Sequence, residues 1–316
     1  MITSSIFDIY RGTTHDGPGV RSTVFFKGCT LSCEWCHNPE GISPNQQVWW
    51  DSRLCIGCML CNNACSTGAN ISSETGIKID NTLCQKCGTC VKACPAKAMT
   101  FISKDLSIDE LIDEVGRDKV YYDKTGGGVT VSGGECMMQH HFVTELFREL
   151  HIRGINTALD TCGLVSYSAF EEVLPYTDYV LYDLKLMDSE LHKKYTKQGN
   201  SLILENVRRI SKAIANGHIN SKLWIRTPLI PGATATVDNI TAIGRFITEE
   251  LHNTVSRWEL CSFNNSCITK YERLNLPWHY SDIQLIDQNV SQELKKAAID
   301  SGINEEIVVV SGLISE

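Results

Sequence analysis

Cys29, Cys33 and Cys36 are spaced Cys-x3-Cys-x2-Cys within the run Phe25 to Pro39. An iron–sulfur cubane has four irons, and each seeks a soft thiolate. Three thiolates leave one iron without a protein ligand, so that corner is Lewis-acidic, redox-active and open to a small molecule. The alternative is a zinc knuckle, but zinc sites pair one Cys-x2-Cys with a second pair to close the tetrahedron. His37 adjoins Cys36 and is poorly placed as a fourth ligand.

Two further runs follow. Cys55, Cys58, Cys61 and Cys65, then Cys84, Cys87, Cys90 and Cys94, each read Cys-x2-Cys-x2-Cys-x3-Cys, and Pro95 follows the second. This is the bacterial two-cluster ferredoxin pattern, in which the fourth Cys of each run ligates the other cluster. The expected sets are Cys55, Cys58, Cys61 with Cys94, and Cys84, Cys87, Cys90 with Cys65. Ser66 stands where a proline is usual, which removes no ligand. Residues 49–102 therefore read as an inserted ferredoxin-like module with an internal repeat, small enough to need metal for stability. Cys136, Cys162, Cys261 and Cys267 remain as buried or loop thiols.

The bulk numbers fit a metalloenzyme. The chain has 316 residues, of which 42% are hydrophobic, enough to pack a large α/β domain around such a module. Fifteen cysteines without a signal-peptide pattern point to metal in a cytosolic protein rather than to disulfides. A net charge of −8 argues against nucleic acid as a partner, and no apolar run is long enough to span a membrane.

The elements that must position these groups alternate. A buried strand at 22–26 leads into the first Cys loop. Ser107-x-x-Glu110 forms a capping box for a helix to about Arg117. Short strands are expected at 129–131, 157–159, 179–182, 223–225 and 258–260, with helices at 137–153, 167–173, 204–215 and 237–251 and a further strand at 307–310. Alternation predicts a parallel sheet. Unusual polar or glycine motifs follow successive strands: the Cys loop, Ser132-Gly133-Gly134-Glu135, Asp160, Asp183-x-Lys185 and Arg226. That phase predicts one pocket at the carboxyl ends of the strands of a partial (β/α)6 TIM-type barrel. Its two parts would be residues 1–48 and 103–316, with no obvious extra domain after the sixth strand.

The first Cys spacing resembles the signature of the radical S-adenosylmethionine (SAM) superfamily. With Asp16-Gly17-Pro18-Gly19-x-Arg21, the Ser132–Glu135 and Asp160-Thr161-Cys162-Gly163 motifs, Asp183-x-Lys185 and Arg226-x-Pro228-Leu229-Ile230-Pro231-Gly232, the chain resembles the glycyl-radical enzyme activating enzymes over nearly its whole length. The resemblance implies a SAM-binding 4Fe–4S cluster on Cys29, Cys33 and Cys36, with two accessory 4Fe–4S clusters. It implies that Trp35, Cys36, His37, Gly134, Asp183, Leu184 and Lys185 touch SAM, and that Asp160 lies near the peptide substrate or a monovalent cation.

The motifs suit such a ligand chemically. Ser132, Gly133 and Gly134 allow close backbone approach to its amino-acid end, and Glu135 would accept from its ammonium. Asp183 and Lys185, two apart at a strand end, share a face and either hold opposite charges of the ligand or pair with each other. Arg226 is a further candidate at the same face. Cys136 replaces the family's proline after Gly-Gly-Glu, and Asn264 takes the position of a family histidine near SAM.

The implied reaction is reductive cleavage of SAM and removal of a hydrogen from a glycine of a partner glycyl-radical enzyme. Flavodoxin or a ferredoxin-type protein would donate the electron to a monomeric enzyme. The inserted module points to partners among dehydratases, decarboxylases and lyases. Two rivals share part of the signal: a radical SAM enzyme acting on a small molecule, and an electron-transfer protein. A pure relay needs no SAM site, so Glu135, Asp183 and Lys185 count against the second.

Overall fold

The computed structural model describes residues 2–74 and 76–315. A nine-stranded sheet carries the fold. Its strands are β1 (Thr3–Thr13), β2 (Arg21–Phe26), β3 (Lys104–Ser107), β4 (Gly128–Gly133), β5 (Asn156–Thr161), β6 (Tyr179–Asp183), β7 (Lys222–Leu229), β8 (Val255–Ser262) and β9 (Val308–Ser311). Their spatial order is β9-β8-β7-β6-β5-β4-β2-β1-β3. From β2 to β9 every neighbouring pair is parallel, while β1 runs antiparallel to both β2 and β3.

The further strand expected at 307–310 forms, so the parallel strands number seven among the described residues. Val308–Ser311 joins the parallel set beside β8, and β1 and β3 extend the opposite edge. Among the described residues no pairing joins β9 to β3, so the sheet is open. It is also curled. Strands lie about 4.8 Å apart, so β2 and β9 would stand roughly 29 Å apart in a flat sheet. Residues following both strands nevertheless line one cavity.

The central strands are apolar on the face that packs on the helices, while the alternate residues Thr130, Asp160, Asp183, Arg226 and Glu259 put polar side chains on the other. Val24, Phe26, Val129, Val131, Leu159, Val180, Ile225 and Leu260 are buried and pack with Leu146, Phe170, Val207 and Ile243 of the surrounding helices. The capping box forms as read: Ser107 Oγ accepts from Glu110 N at 3.3 Å, and Glu110 Oε2 accepts from Ser107 N at 2.8 Å. Helices occupy Ile108–Gly116, His140–Ile152, Tyr167–Val173, Ser201–Ala215 and Val237–Glu250. A 3-10 turn, Cys136–Gln139, precedes the second of these where one continuous helix was expected.

Helices Ile268–Leu274 and Gln288–Asp300 come after β8. Residues 263–283 contribute an aromatic cluster of Phe263, Tyr271, Trp278 and Tyr280, which packs on Trp35 of the first Cys loop. No helix is long and apolar enough to cross a membrane among the described residues.

The segment between β2 and β3 has its own core of Val48, Cys61, Ile77, Ile79, Cys90 and Met99. Strands Val48–Trp50 and Met99–Phe101 pair antiparallel and bring its two ends together. The repeat seen in the cysteine spacing recurs in the backbone. Gly57, Met59 and Gly68 have positive φ, and so do Lys86, Gly88 and Lys97 at the equivalent positions of the second run. Two lysines thus hold a left-handed conformation that glycine supplies in the first run. Arg273 ties the segment to the helix Ile268–Leu274: it donates to Asp51 at 2.6 Å and lies 4.9 Å from the Trp49 ring centroid.

Candidate cofactor site

The carboxyl ends of the parallel strands surround a cavity of about 680 Å³, within the range of small-molecule sites. Cys29, Cys33, Cys36, Trp35 and His37 from the loop after β2 line it. Ser132, Gly133 and Gly134 at the end of β4, Asp160 to Cys162 at the end of β5, Asp183 and Lys185 at the end of β6, Arg226 on β7 and Asn264 after β8 line it too. Most of the residues singled out by motif therefore meet in one space.

Two do not. Leu184 is buried away from the cavity, and its N–H donates to Arg226 O at 2.9 Å. Glu135 is fully buried and also does not line the cavity. Its carboxylate accepts from Thr161 Oγ1 at 2.8 Å, Cys162 N at 2.7 Å and Met137 N at 3.1 Å. Burial raises its pKa, against the pull of these donors. The expectation that Glu135 meets the ligand's ammonium is corrected: its oxygens are spent on fastening the β4 loop to the β5 loop.

Gly134 explains why this motif needs glycine. A Cβ there would collide with the carbonyl oxygens of Gly28 and Gly41. The contact is used, because Gly134 N donates to Phe26 O at 2.8 Å and Glu135 N to Gly28 O at 2.7 Å. The glycine turn is thereby locked to the start of the Cys loop.

The charged wall is a network. Lys185 Nζ donates to Asp183 Oδ2, so the two pair with each other while both face the cavity. Burial disfavours the Lys185 charge, but Asp183 and the nearby thiols outweigh it and hold the ammonium protonated. Asp160 accepts from Ser132 Oγ at 2.6 Å and from Arg226 Nη1 at 3.1 Å. Burial lifts its pKa to about 6, opposed by Arg226 and assisted by Asp183. Arg226 Nε approaches the buried Glu259 at 3.5 Å. Ser262 Oγ, buried at the cavity wall, has no hydrogen-bond partner among the described residues and is free for a ligand. Asn264 is partly committed, since its Oδ1 accepts from Ser266 N at 3.1 Å. Burial lowers the His37 pKa, so its ring is neutral at pH 7.

The donor set fits an iron–sulfur group. All fifteen cysteines are free, and three thiols converge on one cavity wall. Leu31 N donates to Cys29 Sγ at 3.4 Å, the kind of bond a thiolate ligand accepts. A family model described as the Radical SAM superfamily matches residues 23–239.

The chain belongs to the radical SAM superfamily.

Within it, the chain is 37% identical over 298 residues to a (2S)-3-sulfopropanediol dehydratase activating enzyme of Klebsiella oxytoca, spanning 93% of this chain and 92% of that protein. It is 35% identical over 303 residues to a trans-4-hydroxy-L-proline dehydratase activating enzyme of Clostridioides difficile, spanning 96% and 98%. It is 34% identical over 309 residues to a 4-hydroxyphenylacetate decarboxylase activating enzyme of Clostridioides difficile (strain 630), spanning 96% and 95%. These relatives are activating enzymes of glycyl-radical enzymes, the family to which the chain's motifs pointed. A radical SAM methyltransferase from Sphaerobacter thermophilus shares the fold, with a TM-score of 0.53 at 12% identity over 92% of this chain and 66% of that one.

Sequence reasoning missed the residues that hold the radical SAM Cys loop from outside. Tyr271 OH donates to Cys36 O at 2.8 Å, Trp278 Nε1 to Glu34 O at 3.1 Å and Lys270 Nζ to Asn38 Oδ1 at 2.7 Å. Lys270 also pairs with the buried Glu40 at 2.7 Å. The aromatic density of Tyr271 to Tyr280 was the available signal.

In the inserted segment, Cys55, Cys58, Cys61 and Cys94 line a single cavity of about 230 Å³ together with Trp50 and Met99. Cys65 lies within electrostatic reach of Cys87 and Cys90.

Proposed function

We propose that this protein is an activating enzyme that reductively cleaves SAM and removes a hydrogen atom from a glycine of a partner glycyl-radical enzyme. The observation that carries the reading is the single cavity in which three free thiols face Asp160, Asp183, Lys185 and Arg226. A 4Fe–4S cluster with SAM supplies one-electron cleavage of the sulfonium and, from it, a carbon radical that takes the hydrogen.

The chain's own residues bind, orient and exclude water. Cys29, Cys33 and Cys36 would hold three irons. The Ser132–Gly134 turn and the Asp183–Lys185 pair would receive the amino-acid end of SAM, with Lys185 for a carboxylate and Asp183 for an ammonium. His37 and Asn264 would border the remainder of the ligand. Asp160, held by Ser132 and Arg226, would face the incoming peptide or a monovalent cation.

The 49–102 segment would act as the ferredoxin-like module of a partial barrel, with two accessory 4Fe–4S clusters. The shared cavity of Cys55, Cys58, Cys61 and Cys94 supports the crossed ligand assignment. An electron from a flavodoxin or ferredoxin-type donor would enter there.

The test is isotopic. Anaerobically reconstituted protein, a reductant and SAM are mixed with a candidate partner whose glycine Cα carries deuterium. Deuterium is expected in the released 5′-deoxyadenosine. Release of unlabelled 5′-deoxyadenosine with every candidate partner, and labelling from a deuterated metabolite instead, would reassign the enzyme to a small-molecule substrate.

A further inference from the structure

His140 and His141 open the helix His140–Ile152, and Glu172 stands near the end of the helix Tyr167–Val173. None of the three lines the cofactor cavity. Each offers one donor atom, and the three donors lie within 4.8 Å of one another. Glu172 divides its carboxylate between the two rings. Its Oε2 is 2.8 Å from His141 Nδ1, and its Oε1 is 3.8 Å from His140 Nε2. The two imidazole centroids are 4.1 Å apart.

The fold holds this cluster in place. Gln139 Nε2 donates to Lys27 O at 3.0 Å and Thr144 Oγ1 to His140 O at 2.8 Å, which fixes the start of the helix that carries both rings. Other carboxylates on these two helices have cations of their own. Glu145 pairs with Arg148, Glu149 with Arg153 and Glu171 with Arg209. Among the described residues, Glu172 pairs with the two histidines alone. At 3.8 Å His140 Nε2 is too far from Glu172 for a hydrogen bond, but not for two ligands of one ion. Zinc bonds of about 2.1 Å at a tetrahedral angle set donor atoms about 3.4 Å apart. The observed 2.8 Å and 3.8 Å bracket that separation. His141 and Glu172 also border a groove of about 680 Å³ that is walled by Asp109, Glu145 and Glu149 with Arg148. The acidic excess favours a cation, and the groove leaves room for the waters that complete its coordination.

We propose that His140, His141 and Glu172 bind a divalent cation of the zinc class, separate from the iron–sulfur sites, that clamps the helix His140–Ile152 to the helix Tyr167–Val173. Two imidazoles and a carboxylate suit such an ion, whereas magnesium and calcium take oxygens and iron–sulfur clusters take thiolates. The two helices follow the Ser132–Glu135 and Asp160–Gly163 turns. Glu135 joins those turns at the strand ends through Thr161 and Cys162. The cation joins the same two units a second time, through their helices.

The test uses the iron-loaded enzyme without oxygen, dialysed against zinc buffered in the micromolar range. Wild type should take up about one zinc per chain more than His141→Ala or Glu172→Gln. Zinc on thiols is common to all three proteins and cancels. The His141 side chain is 75% exposed, so its removal spares the core. Glu172→Gln keeps an acceptor for His141 while removing the charge. Loss of an inner ligand should weaken zinc by about a hundredfold, the upper end of what an outer partner costs. Zinc should also slow amide exchange in both helices of wild type and in neither variant. Equal zinc uptake by wild type and both variants overturns the proposal, since the metal then sits elsewhere. Uptake by wild type only at millimolar zinc overturns it too, because the cluster is then an adventitious surface site. Specific uptake without slower exchange in either helix refutes the clamp.

Discussion

Arg226 Nη1 reaches Asp160 Oδ1 at 3.1 Å across the whole width of β6, the strand that separates them. The same guanidinium approaches Glu259 on the next strand at 3.5 Å. One buried cation therefore serves carboxylates from β5 and β8. Removing it leaves the buried Asp160 without a cation and Glu259 with Arg257 alone, at 3.2 Å. Arg226→Ala should destabilise the protein by about 3 kcal/mol or more, because breaking a buried ion pair strands the remaining charges. Chemical denaturation of the iron-loaded protein checks this. A loss within about 0.5 kcal/mol would mean that water already screens the network.

Glu135 is predicted to matter for stability and loop rigidity rather than for direct ligand contact. Glutamine can accept through only one of its two ends, so one of the donors on Glu135 would face an amide N–H₂. Glu135→Gln should cost about 1–3 kcal/mol and speed amide exchange at 161–163. Hydrogen exchange by mass spectrometry reads this directly. Unchanged protection of that turn would show that the carboxylate is dispensable there.

Asn264 offers a ligand chiefly its Nδ2, because Oδ1 is engaged by Ser266. Asn264→Ala should weaken SAM binding by about 1 kcal/mol, roughly fivefold. Asn264→Asp keeps the acceptor for Ser266 but removes the amide donor. If the Asp variant binds SAM as wild type does in an anaerobic titration, the side chain serves only the local turn.

Arg273 couples the inserted segment to the main body through Asp51 and Trp49. Arg273→Ala should leave iron content and SAM affinity unchanged while lowering the cost of local opening at 48–51 by about 1–2 kcal/mol. Exchange rates there and in the partner strand Met99–Phe101 should rise together. Rates equal to wild type would place the coupling elsewhere.

The strand-end motifs were legible because their chemistry is local. A thiol triplet, a Gly-Gly pair or an Asp-x-Lys is set by spacing alone, and the parallel strands before them are short apolar runs. The capping box at Ser107 and Glu110 was legible for the same reason. What was missed depends on distant contacts. The outer half of β1 is mostly exposed and polar, and its pairing with β2 and β3 rather than its composition makes it a strand. The helices Ser189–Thr196 and Gln288–Asp300 have few apolar residues and start at aspartate caps, Asp188 and Asp287. Glu135 was misread because a carboxylate beside a glycine turn looks available to a ligand. Only the fold shows that Thr161, Cys162 and Met137 already occupy it. Tyr271 and Trp278 brace the Cys loop from more than two hundred residues away in sequence, which no spacing rule encodes.

The cluster assignment has a compositional check. The three 4Fe–4S clusters proposed would give about twelve irons per chain. Changing Cys29, Cys33 and Cys36 together to Ala should lower this to about eight and abolish 5′-deoxyadenosine formation. Continued SAM cleavage by the triple variant would move the reactive cluster elsewhere.

The hydrogen should be taken from a protein glycine. Reduced enzyme, SAM and a candidate glycyl-radical enzyme are mixed without oxygen, and the electron paramagnetic resonance spectrum is recorded. A glycine-centred doublet is expected, and it should disappear when the partner's glycine is changed to alanine. SAM turnover on a small metabolite, with no protein radical from any candidate partner, would contradict it.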